Sequence, residues 1–170
     1  MGWAKDMLNN KKNEQEQEKK KQETHKEEME NRIKENIERW RVLTVDLICP
    51  QMNEVVSDLK EDGYVGQVYT PRVSNPQIGT YENVELIIQP QHGPRFSIRY
   101  ELVSSSGIIT IRANKLIDQR SQRGSVRATP KVISPTESNL VSYDPVELKN
   151  FDGARMESTL KDFVKAILKF

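Results

Sequence analysis

An α+β fold is predicted by three observations. Helix-forming residues without Pro or Gly fill much of the N-terminal third. The middle alternates apolar and polar residues in short runs broken by Gly and Pro. The C-terminus returns to a helical spacing of apolar residues. The expected order is a long N-terminal helix, an antiparallel meander of about four to six strands, and a C-terminal amphipathic helix on the same sheet face.

Length, at 170 residues, suits one domain plus an appendage. The expected division is a charged arm, helical or disordered, over 1–28 and a single α+β domain over 29–170. A body of roughly 140 residues buries close to two thirds of its unfolded surface and needs no covalent staple.

Residues 9–28 are almost wholly Lys, Glu, Gln and Asn. They offer nothing apolar to a core but have good helix propensity. Glu16 with Lys20 and Glu18 with Lys21 are well-placed pairs, whereas Glu14 with Glu18 and Glu23 with Glu27 repel. No apolar seam links Leu8 to Met29, so a coiled coil is excluded and a solvated helix or frayed arm is expected. Ahead of this spacer stand Trp3, Met7 and Leu8. Trp3 and Met7 are four apart and share one helical face. An apolar cluster at the tip of a charged spacer has the form of a docking peptide. The competing reading is an N-terminal remnant without a role.

From Met29 an apolar stripe begins: Met29, Ile33, Ile37, Trp40, Leu43 or Thr44, and Leu47, then Met52, Val55, Val56 and Leu59. Pro50 interrupts it and biases Cys49 away from helical backbone. Two arrangements fit, a helix kinked at Pro50 or a second helix with Pro50 in its first turn. Residues 42–47 have strand composition too, but the stripe on both sides favours helix. Asp62-Gly63 marks its end. A helix from Ala4 to Leu59 exceeds roughly 80 Å at the α-helical rise. The roughly 110 residues that follow the helix have a radius of gyration of about 13 Å and cannot cover such a rod.

Strands are predicted at 64–69, 82–89, 95–103 and 107–113. In the third, Phe96, Ile98, Tyr100 and Leu102 face the core, and Arg95, Ser97, Arg99 and Glu101 face water. The turn over 90–94 pairs Val84 with Tyr100, Leu86 with Ile98 and Ile88 with Phe96. The turn over 104–107 pairs Leu102 with Ile109 and Tyr100 with Ile111. The wet face then carries the row Glu85, Arg99, Arg112. Either Glu85 pairs Arg99, or Arg99 and Arg112 form an anion site.

From Arg112 to Lys131 basic residues outnumber acidic ones heavily, with Arg120, Arg123 and Arg127 in a Gly- and Ser-containing segment. Val126 to Ile133 has the composition of an edge strand. Polyanion or nucleic-acid binding through Arg99, Arg112, Arg120, Arg123 and Arg127 is the alternative function class. Against it, the segment has no aromatic to stack on a base, and the whole chain carries only +1. Pro130, Pro135 and Pro145 punctuate a long irregular connection. Met156, Leu160, Phe163, Val164, Ile167 and Leu168 then define the closing helix, capped by Asp152 or Ser158.

No catalytic motif stands out. Cys49 is the sole cysteine and reads as a small apolar residue. His25 and His92 have no partner at ligand spacing, so neither metal nor cofactor is expected. Glu54 and Asp58 are a carboxylate pair on one helix, and an enzyme with a scattered site is the third class. No apolar run spans a bilayer, no secretory h-region is present, and Asp6 spoils a myristoylation signal, so a cytoplasmic location without membrane contact is expected. The function expected is protein–protein interaction, with another protein or a second copy, through Trp3, Met7 and Leu8 or the stripe Met29, Ile33 and Ile37.

Overall fold

The computed structural model describes residues 2–70, 81–117 and 136–170. Helix α1 runs Trp3–Leu43, passes without a break through one π-helical turn at Thr44–Ile48, and continues as α2, Cys49–Lys60. Six strands follow among the described residues: β1 Tyr64–Tyr69, β2 Tyr81–Pro90, β3 Arg95–Val103, β4 Ile108–Ile117, β5 Thr136–Ser142 and the two-residue β6 Val146–Glu147. Helix α3, Gly153–Ile167, closes the chain. The expected α+β order holds. The residues of strand composition at 42–47 are helical.

The π turn has a sequence cause. Pro50 has no N–H for the Asp46 carbonyl, and its ring would crowd that carbonyl in an unbroken α-helix. The ladder widens just ahead of it, where the Cys49 N–H bonds to Thr44 O five residues back. Cys49 therefore stays helical (φ −62°, ψ −43°), against the bias that Pro50 imposes. Gly63, at φ +86°, ends the segment in a conformation that an L side chain rarely adopts.

The sheet is antiparallel in the order β1-β2-β3-β4-β5, with β6 pairing the start of β4 beside β5. The registers Val84–Tyr100, Leu86–Ile98, Ile88–Phe96, Leu102–Ile109 and Tyr100–Ile111 are as the alternation predicts. The connection after 135 differs from expectation: Thr136–Ser142 pairs β4 as a strand, with a register shift at Ala113/Asn114. The expected edge strand at Val126 to Ile133 lies outside the described residues.

Both α2 and α3 pack on one sheet face. Trp40, Ile48 and Met52 meet Leu86, Ile98, Tyr100, Met156 and Phe163 in a single core, with Trp40 only 2% exposed. Gly66 of β1 allows α2 to approach closely, because a Cβ there would lie 2.7 Å from Val56 Cγ2. Tyr100 of β3 and Tyr143, just after β5, both bond to Thr159 of α3. Tyr100 Oη and Thr159 Oγ1 are 2.5 Å apart in the core, and Tyr143 Oη donates to Thr159 O at 3.0 Å. Asp152 caps α3 by accepting from Arg155 N. On the outer face, Ser97 is buried against expectation. It sits in register between Ile87 of β2 and Asn114 of β4.

Candidate functional site

The arm and its tip are the most unusual feature of the molecule. Every residue from Gly2 to Arg32 is exposed, and Ile33 is the first that is even half-buried. From Ile33 back to Trp3 the helix rises about 45 Å. The body, with a radius of gyration of about 14 Å, leaves this length in solvent.

Such a helix is held by its own backbone and by charge. Lys12, Glu16, Lys19, Glu23, Lys26 and Glu30 follow one another at alternate spacings of four and three, so successive members along one face carry opposite charges. The pairwise reading of the sequence missed this ladder because it weighed neighbours one pair at a time. None of these pairs closes to 4 Å, and the four ion pairs found among the described residues all lie elsewhere. They act through solvent, at roughly 0.2–0.5 kcal/mol each. Thr24 Oγ1 donates back to Lys20 O at 2.8 Å, so its hydroxyl stays within the helix.

The expected contact residues fall into two groups. At the tip, Trp3, Met7 and Leu8 are 73%, 65% and 55% exposed. At the base, Met29 is 46% exposed, while Ile33 and Ile37 are half-buried where the helix meets the body. There, Asn36 Nδ2 donates to Ser104 O at 2.9 Å, and Arg41 pairs with Glu82 at 3.2 Å. These contacts fix the arm's exit over the β3–β4 turn. Val42 and Val45, at the π turn, are also exposed.

Of the expected anion set, Arg99 and Arg112 are described, and Arg120, Arg123 and Arg127 lie outside the described residues. Arg99 and Arg112 are directly opposed in register, and Arg99 Nη2 contacts Glu85 Oε2 at 3.3 Å. The Glu85 carboxylate thus occupies the guanidinium that an anion would need.

The carboxylates Glu54 and Asp58 line a valley between α2 and α3, of about 640 Å³, floored by Val55, Leu160 and Val164. Across it, Lys161 holds Glu157 at 2.8 Å. That hydrogen bond, with the lysine charge, lowers the Glu157 carboxyl pKa and raises that of the ammonium. The valley joins residues about a hundred positions apart, which no local pattern in the sequence marks. Burial pushes the Cys49 thiol pKa up, away from the reactive thiolate. Among the described residues there is no group of three or more His, Cys, Asp or Glu suited to a metal, and no helix long and apolar enough to cross a membrane. No family model, curated protein or solved structure matches the chain.

Proposed function

We propose that this chain is an assembly module. Its α+β body anchors a stiff charged helix, and the helix presents Trp3, Met7 and Leu8 to a partner protein. One observation carries the reading: the helix continues for some thirty residues beyond Ile33, its first half-buried position, and carries Trp3, Met7 and Leu8 exposed on that length. A polar helix with no face to bury gives nothing to the body's stability, so its length is explained by reach. An exposed Trp with Met one turn away is the kind of anchor that an apolar groove accepts, with binding concentrated in a few large side chains. No catalytic role is included, because the arm carries no arrangement of acid, base and nucleophile.

The test is affinity capture from the native host with three baits: the full chain, Trp3→Ala/Met7→Ala/Leu8→Ala, and a chain lacking residues 1–28. A partner held by the first and lost by the other two is expected. Equal capture by all three would remove the arm from the account. Capture that collapses with salt and depends on Arg99 and Arg112 would favour polyanion binding instead.

A further inference from the structure

The valley between α2 and α3 and the tip of α1 have matching chemistry. The valley floor is apolar: Val55, Leu160 and Val164. Its α2 wall carries Glu54 and Asp58, which make no ion pair within 4 Å among the described residues; its α3 wall carries Lys165 and Glu157, the latter engaged by Lys161. The tip offers Trp3, Met7 and Leu8, and residues 3–12 carry Lys5, Lys11 and Lys12 against Asp6 alone. A helix laid in that valley would cover its floor with the apolar residues and bring lysines to the unpaired carboxylates.

The tip cannot reach its own valley. Trp3 and Val55 lie on one continuous helix, roughly 80 Å apart along the axis. A tip seated in that valley must therefore come from another molecule.

We infer that the tip of one copy docks in the α2–α3 valley of a second copy. This inference rests on the reading of the arm as a docking element and names its partner. The contact is heterologous, since the tip and the valley are different surfaces. Each molecule therefore offers one of each, and association runs head to tail into a closed ring or an open chain.

Sedimentation velocity of the full chain across a wide concentration range tests it, with two variants that spare the core. Trp3→Ala/Met7→Ala damages the tip, and Glu54→Lys/Asp58→Lys reverses the exposed valley wall. Reversible self-association of the unmodified chain is expected, weakened about tenfold or more in each variant. An equal mixture of the two variants is expected to recover a one-to-one pair, because one intact tip meets one intact valley. Circular dichroism of each variant excludes loss of fold as the cause. An unmodified chain that stays monomeric overturns the inference. So does association that survives the valley substitutions, or a mixture that fails to pair. If the tip substitutions abolish capture of a different protein while the unmodified chain stays monomeric, this inference fails and the docking reading of the arm stands.

Discussion

Two halves of the same helix are held by different physics. Residues 2–32 bury nothing, and their helical order comes from backbone propensity and a ladder of alternating charge. From Trp40 to Leu59 the helix is held by what it buries, with Trp40, Ile48, Met52 and Leu59 all in the core. The backbone runs through the boundary without a break, so secondary structure alone hides the change. Helix continuity therefore does not imply a shared source of stability. The lower half buries side chains in the core, and the upper half buries none.

The largest expected effect lies just below the boundary. Trp40→Ala removes the largest fully buried side chain and should cost about 3–5 kcal/mol in urea unfolding. A loss below about 1 kcal/mol would mean that the helix base is not part of the core. Next comes the seat of α2 on the sheet. Gly66→Ala puts a Cβ against Val56 Cγ2 and should cost about 1–3 kcal/mol. Adding Val56→Ala should recover much of that, because it removes the methyl groups that the new Cβ would strike.

Alkaline pH separates the two halves another way. Burial holds the Tyr100 phenol well above its ordinary value, with the neighbouring Tyr143 adding to the rise. Burial, then the Asp162 charge, pushes Tyr143 up to about 12. Above the ordinary phenol value of 10.0 the unfolded chain loses these protons while the folded body keeps them. Body stability should therefore be intact below that pH and decline as pH rises through the range between 10.0 and about 12. Denaturant midpoints across this range check it, and Tyr143→Phe should flatten the decline. The arm has no tyrosine, so this loss does not originate there. The smallest effect is that of removing the arm. A chain lacking residues 1–28 should unfold within about 1 kcal/mol of the full chain. A loss of several kcal/mol would show that the arm packs on the body.

The sequence made some of this legible and concealed the rest for identifiable reasons. Period-two alternation fixed the registers of β2, β3 and β4, because a slip by one residue would turn Ile98 and Tyr100 out of the core. Strand β5 escaped notice because Thr-Glu-Ser-Asn opens it and Pro135 and Pro145 bracket it, leaving only Leu140 and Val141 as apolar signal. The Tyr100–Thr159 contact joins a strand to a helix about sixty residues on, which no local spacing reports. Pro50 signalled an irregularity but not its form. A kink, a new helix and a π turn all answer a missing N–H, and the π turn is the form found, with Ile48 and Met52 buried beside it. For the candidate site, the apolar tip and charged spacer were readable from composition alone. The valley on α2 and α3 was not, since its walls come together only on folding.

The central claim is that residues 2–32 stand clear of the body as a stiff helix. Double electron–electron resonance between spin labels at Glu16→Cys and Asn53→Cys, in a Cys49→Ala chain diluted with unlabelled protein, measures this directly. A narrow distribution near about 55 Å is expected from the helical rise. A broad distribution at clearly shorter distances, as for a frayed arm above a fixed helix base, or a short distance from an arm folded onto the sheet, would contradict it.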